Sequence, residues 1–441
     1  MDLGPLAVML IMFGSLIVLL MSGLPVVFGM GAIGTLLVFV LWGPTVAPFA
    51  LNANAFAVMS NYSLIAIPFF VFMALILRSS GVAHDLFSSM RLWFDRVPGG
   101  MAMAVVAVSV VIAAMSGVIA TGIVILGIVA VPEMLRVGYS KEMALGPVMA
   151  GGCLAQLIPP STGFIVYGSL AEVSVGRLFV GGIVPGLLLA GLFMLYIGIR
   201  CTLKPELAPA IPKENRGSMR EKITSLRSLI LPGALIVVVL GSVFFGVAAA
   251  TEAAALGAGG AIVCAAIRRR LTWTDVREAC ISTGKVTAML IWIFFGAYCF
   301  KTVFVVAGGP HYVTEWVAGL NIDDTSIIGV MQLIFITMGC FVQEVVIQLI
   351  SMPVFLPIVD SLELSRLWFG VLFLTTAQLS FLTPPFGFAL FYMKSVAPEG
   401  VGMSDIVKSV LPYIPLQIIP VILVLLFPVL ATWLPGLMIG S

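Results

Sequence analysis

Charge is scarce in this chain. Asp, Glu, Lys and Arg make up 10% of the 441 residues, and histidine occurs twice, where a soluble protein carries roughly 25% charged residues. Residues 3–77 contain no charged side chain at all. A water-soluble fold of this length is excluded, because much of any folded surface must face water. The net charge of +2 comes with no basic stripe interleaved with aromatics, so a nucleic-acid partner is not expected. Cys153, Cys201, Cys264, Cys280, Cys299 and Cys340 form no C-x-x-C, which leaves neither a metal site nor a redox pair supported; they read as small core residues. His84 and His311 stand alone. An intramembrane enzyme would need an activated serine, paired acids or an H-E-x-x-H helix, and no such set is present. No G-x-x-x-x-G-K-[ST] loop occurs either, so ATP is not the expected driver.

Apolar sequence is abundant. The chain is 61% hydrophobic with a mean hydropathy of +1.18. Runs near 18 residues without charge recur, each long enough to cross ~30 Å of hydrocarbon as a helix. The sequence predicts an all-α polytopic membrane protein with about ten to twelve transmembrane segments. Asp2 stands where a signal peptide would carry Lys or Arg, so the N-terminus reads as a first membrane helix. Basic residues concentrate in 78–98, 200–227 and 268–285, which the positive-inside rule places in the cytoplasm. The uncharged stretch 43–60 and the acidic stretch 307–326 then lie outside, and so does the N-terminus.

Two stretches break this pattern. "AQLIPPSTGFIVYG" (155–168) and "LSFLTPPFGFALFY" (379–392) are apolar, yet each holds two adjacent prolines, glycine and hydroxyl side chains. Blocks around them repeat at an offset near 225–228: "VSVGRLFVGGIVPGLLL" answers "VGMSDIVKSVLPYIPLQ", and "FFVFMALILRSSG" answers "FFGAYCFKTVFVVAGG". The charge rule gives the two copies opposite directions, hence an inverted repeat. Each copy carries, ahead of its proline pair, an apolar stretch with small or polar residues at its middle: "MSGVIATGIVILGIVAVPEML" (115–135) and "MGCFVQEVVIQLISMPVFLP" (338–357). Both read as re-entrant hairpins or interrupted helices. Proline strips a helix of one N–H and leaves a carbonyl unpaired, and in hydrocarbon such backbone is tolerated only where it lines a cavity or binds something. Inverted repeats with broken helices mark secondary transporters: freed carbonyls suit Na⁺, and half-helix N-termini suit anions. Single prolines (Pro25, Pro68, Pro132, Pro185, Pro412) read as kinks. Thr251 reads as the cap of a helix that includes Glu252. Lys301 reads as snorkelling or paired.

The blocks "GPVMAGGCLAQLIPPSTGFIVYGSLAEVSVGRLFVGGIVPGLLL", "ATEAAALGA", "LTWTDVREA" and "LSFLTPPFGFALFYMKSVAP" resemble the large membrane subunit of the tripartite ATP-independent periplasmic (TRAP) transporters. The likeness covers nearly the whole chain except 200–227. "SFLTPPFGFALFY" is similar to the branch that handles keto acids, mannitol and aromatic acids. The resemblance implies an elevator fold in the bacterial inner membrane and Na⁺-coupled uptake. It also implies a small four-helix membrane subunit and a periplasmic solute-binding protein as partners. One implied Na⁺ site uses backbone oxygens near Ser116 with Ala155, Ile158 and Pro160. A second uses Gly339, Ser380, Thr383 and Phe386, with the Thr383 hydroxyl as a ligand. This chain has Ala155 and Ser380 where the family often has Gly, and "CFVQE" where it often has "MFMD". A small organic acid anion is the expected solute, with Ser116, Thr121, Ser161, Thr162 and Gln343 as candidate contacts. The implied organisation is 1–98 scaffold, 99–200 first transport repeat, 201–228 cytoplasmic linker, 229–325 second scaffold and 326–441 second transport repeat. The alternatives are a stand-alone Na⁺-coupled carboxylate carrier and, from other classes, a membrane enzyme or a channel.

Overall fold

A computed structural model describes residues 4–22, 26–210, 216–320, 322–384 and 387–438. These residues are helical, with no strand among them. The first half contains α1 (Pro5–Met21), α2 (Val26–Met59), α3 (Ala66–Ser79), α4 (Val82–Trp93), α5 (Gly100–Ser116), α6 (Ile119–Arg136), α7 (Lys141–Cys153), α8 (Thr162–Ala171) and α9 (Val175–Leu203). The second contains α10 (Met219–Ser225), α11 (Arg227–Phe244), α12 (Ala250–Ile267), α13 (Trp273–Val306), α14 (Gly309–Ala318), α15 (Asp324–Gly339), α16 (Glu344–Ser361), α17 (Arg366–Leu382), α18 (Phe388–Val396), α19 (Met403–Val410), α20 (Tyr413–Leu426) and α21 (Val429–Thr432).

Nine helices among the described residues are long and apolar enough to cross a membrane, and five shorter apolar helices of 10–17 residues accompany them. The shorter set includes α5, α8, α15 and α17, which carry the two interrupted regions. None of these four is long enough to span ~30 Å by itself. That is why a count by hydropathy runs higher than the number of long helices.

The repeat is visible in the element order. α15, α16, α17 and α18 begin 224–226 residues after α5, α6, α7 and α8. In each half two helices form a hairpin, a third runs to the proline pair, and a short helix resumes beyond it. The remaining long helices pack across the repeat: α2 lies along α13, and α3 along α12. Small residues let them approach, as expected where lipid offers no hydrophobic drive. A Cβ on Gly34 would stand 2.7 Å from Cys299 Cβ.

Helix starts outside the apolar interior use polar caps. Ser140, Ser174 and Ser365 accept from the N–H groups of Met143, Arg177 and Trp368. Ser218 with Glu221 and Thr272 with Asp275 form reciprocal capping boxes. The expected cap at Thr251 is a correction. The N-cap is Ala249, and Thr251 sits one residue inside the first turn. Cap preference pointed to the nearest hydroxyl, but the chain turns earlier. Pro132 and Pro185 lie inside α6 and α9, Pro68 lies in the first turn of α3, and Pro412 is the N-cap of α20. Pro25 lies outside the described residues.

Between the halves, Asp95 and Lys222 form a buried ion pair at 2.7 Å, with side-chain exposures of 1% and 6%. Asp95 also accepts from the Gly217 N–H at 3.1 Å. The end of the linker is therefore pinned against the loop after α4.

Candidate functional site at the hairpin tips and helix breaks

In the first half, α5 ends at Ser116 and Gly117 follows with φ of +61°, a left-handed conformation that glycine adopts without strain. Its N–H returns to Ala113 O at 3.0 Å. Val118 is extended and α6 begins at Ile119. This tip meets the broken helix directly: a Cβ on Gly117 would lie 2.1 Å from Pro160 O. Gly151 and Gly152 near the end of α7 make the same close approach, to Ser109 Oγ and to Ile123. Beyond α7 the backbone tightens over Leu154–Gln156, passes the cis Pro159–Pro160 bond and restarts at Thr162. Gly182 of α9 makes room for Leu157 O, 2.4 Å from where its Cβ would be. Among the described residues, no donor reaches the carbonyls of Ile158 or Pro160.

The second half repeats the arrangement. α15 ends at Gly339, and α16 starts at Glu344 with Gln343 as N-cap. A Cβ on Gly339 would stand 2.0 Å from Ser380 Oγ, so this tip also closes on the helix ahead of its proline pair. α17 ends at Leu382, Thr383 is its C-cap, and α18 restarts after Gly387. Thr383 does not cap the following half-helix, whose N-cap is Gly387. Instead its hydroxyl donates backwards to Leu379 O at 2.7 Å, because the turn carrying it closes α17. Pro385 and Phe386 lie outside the described residues, and so does the part of the second candidate set that rests on Phe386.

The structure thus brings Ser116 to the break at Pro160, and Gly339 to Ser380 three residues before Thr383. Ala155 and Ile158 are buried beside the first tip, at 2% and 5% exposure. Ser116 Oγ and Ser380 Oγ are both buried without a hydrogen-bond partner. A hydroxyl removed from water and left unpaired costs about 1–3 kcal/mol, so the expense at the first tip, and on the helix that the second tip meets, calls for an explanation. Both places offer hydroxyl and carbonyl oxygens, a donor set that suits a hard monovalent cation.

The candidate solute contacts divide. Thr162 approaches Gly117 O at 3.5 Å and is half-buried, as is Thr121. Gln343 is exposed at the start of α16 and makes no side-chain cap bond. Ser161 is different: its hydroxyl is fully buried and donates to Gln156 O at 2.7 Å, which ties the break together.

A set of buried polar side chains joins the halves; the sequence points to Glu344 and Gln348, in the second interrupted stretch, and not to Gln156 or Gln378. Gln348 donates to the buried Glu344 carboxylate at 3.1 Å, and Gln156 faces that carboxylate from the first half. Gly163, in the first turn of α8, leaves the room: its Cβ would be 2.2 Å from Glu344 Oε1 and 2.7 Å from Gln156 Nε2. Gln378 is fully buried with neither side-chain polar atom paired. Sequence offered one signal for this set, glutamine in otherwise apolar helices.

Residues 13–430 match the family described as tripartite ATP-independent periplasmic transporter, DctM component. The chain belongs to this family. It is 31% identical over 388 residues to the C4-dicarboxylate TRAP transporter large permease protein DctM of Pseudomonas aeruginosa, covering 88% of this chain and 89% of that one. It is 28% identical to the isethionate TRAP transporter permease protein DctMQ of Oleidesulfovibrio alaskensis, over 97% of this chain and 66% of the other. Among solved structures, the YdaH transporter of Alcanivorax borkumensis superposes with a TM-score of 0.59 over 88% of this chain and 89% of that chain. At 17% identity that likeness shows the fold alone. The chain is a TRAP large permease, an integral inner-membrane transport protein and not an enzyme.

Proposed function

We propose that this permease drives Na⁺-coupled uptake of a small organic acid anion, and that it works with a small four-helix membrane subunit and a periplasmic solute-binding protein. One observation carries the reading: in both halves a hairpin tip closes on a proline-broken helix beside a buried, unpaired serine oxygen. Ser116, Ala155, Ile158 and Pro160 would hold one Na⁺, and Gly339, Ser380 and Thr383 a second. Thr121, Thr162 and Gln343, at or near the tips and restarts, would face the solute. Ser161 drops to a positioning role, since its hydrogen is committed to Gln156. Relatives named for a dicarboxylate and for isethionate, a sulfonate, support an anionic solute. The third of the isethionate permease that this chain does not cover is consistent with a separate small subunit here. In the elevator description, α2, α3, α12 and α13 form the scaffold and the hairpins and broken helices move against it. The N-terminus would lie in the periplasm.

The test is uptake into proteoliposomes holding the permease and its small subunit, with the receptor supplied outside. An inward Na⁺ gradient should drive accumulation, and replacing Na⁺ by choline should abolish it. Equal uptake in choline refutes Na⁺ coupling. Full-rate uptake of free solute without the receptor would instead make this a stand-alone carrier.

A further inference from the structure

We infer that the cavity between the N-termini of α9 and α12 is a second binding site for small organic anions, apart from the hairpin tips. The identity of the anion rests on the transport reading above. The cavity encloses about 520 Å³ and is lined by Ser63, Ser174, Arg177, Ala249 and Thr251, among others. It straddles a seam, with Ser63 and Thr251 contributed by the proposed scaffold and Ser174 and Arg177 by the first transport repeat.

Four features give it a preference for negative charge. α9 and α12, of 29 and 18 residues, both open on it with their N-termini, and each such end carries roughly half a positive charge. The N-cap of α12 is Ala249, which has no side-chain acceptor for the N–H groups of the first turn; alanine is among the poorest residues for that place. Thr251 is 6% exposed, and its hydroxyl has no hydrogen-bond partner. Arg177 is exposed and has no carboxylate partner among the described residues, and a guanidinium grips a carboxylate or sulfonate with two parallel hydrogen bonds. Glu252 turns back onto the Ala249 N–H at 2.8 Å and does not line the cavity. It offsets part of the α12 end and leaves Arg177 without a carboxylate, at an α9 end capped by the neutral Ser174 hydroxyl.

The position suits a waiting place for incoming solute. α9 runs from the cavity to the basic linker, about 43 Å at 1.5 Å per residue, and α11 returns from the linker to Val243 at the cavity wall. The site therefore lies at the membrane face opposite the linker, which the charge rule makes the outer one.

The test uses purified permease in detergent without Na⁺. Ser63→Cys is introduced with Cys280→Ser and Cys340→Ser, which remove the thiols that are not buried. Its modification rates by anionic and cationic methanethiosulfonates (sulfonatoethyl and trimethylammonioethyl) are compared. The anionic reagent should be favoured on the order of fivefold over its intrinsic rate ratio, the scale of one nearby charge in a partly shielded site. Arg177→Gln should abolish the preference and Arg177→Lys should retain it. Thr251→Val should reduce it. Succinate should slow labelling in the Arg177 protein and not in Arg177→Gln. A preference unchanged by Arg177→Gln overturns the site, and so does absent or Arg177-independent protection by succinate. Labelling requires neither Na⁺ nor transport, so this result and the choline experiment fail independently.

Discussion

Thr383 separates two jobs that one hydroxyl can do. Its hydrogen goes to Leu379 O, which leaves its lone pairs for a ligand. Thr383→Val removes the oxygen at nearly constant shape, and Thr383→Ser keeps it. If the oxygen binds Na⁺, Val should weaken Na⁺ binding by about 1–3 kcal/mol, on the order of tenfold or more in the Na⁺ concentration for half-maximal uptake. Ser should shift it much less. An unchanged Na⁺ titration in Thr383→Val, at matched protein level, removes Thr383 from the site. The contact at Gly339 makes a steric prediction. Gly339→Ala places a methyl group 2.0 Å from Ser380 Oγ and 2.2 Å from its Cβ, so it should cost about 1–3 kcal/mol of stability by overpacking, read as a lower melting point in detergent. Ser380→Gly removes both atoms and should recover most of that loss, whereas Ser380→Ala, which keeps the Cβ, should not. Failure of the glycine rescue to restore the melting point would mean that the tip and the helix are not in contact.

At the scale of elements, the two breaks and their hairpins were legible because their signals are local. Proline pairs, glycines and hydroxyls stand within a few residues of one another, and one offset repeats them. The contacts that close the site were not legible. Glu344 faces Gln156 across nearly two hundred residues, and nothing in either stretch names the other. Thr251 misled because cap preference is a preference and the backbone turned at Ala249. The pairing of Asp95 with Lys222 is likewise invisible in a linker that reads as Pro-rich and charged. That pair gives a stability prediction. Lys222→Met strands a buried carboxylate and should cost about 3–5 kcal/mol, while Asp95→Leu/Lys222→Met should recover most of it. Thermal unfolding in detergent reads both. Equal melting points for the single and double variants would show that the pair does not pin the linker.

The whole molecule poses the question of movement. Asn61 Nδ2 donates to Ser169 Oγ at 2.7 Å, joining the segment before α3 to α8 across the seam between proposed scaffold and moving unit. Asn61→Cys/Ser169→Cys, bridged by a short bis-thiol reagent with the Cys280 and Cys340 thiols removed, should stop uptake, and cleaving the bridge should restore it. Full uptake in fully bridged protein would rule out sliding at this seam. The pairing of α2 with α13 and of α3 with α12 also bears on how the chain is made. Their partners lie in the other half, so α2 and α3 enter the bilayer with the faces that will meet them still uncovered. From the end of α3 at Ser79 to the end of α13 at Val306, synthesis at about 5–20 residues per second takes roughly 10–45 s. For that interval the nascent first half stands in lipid with its interhelical faces open, exposed to membrane proteases and to the wrong neighbours, and the ribosome's pace sets how long that exposure lasts.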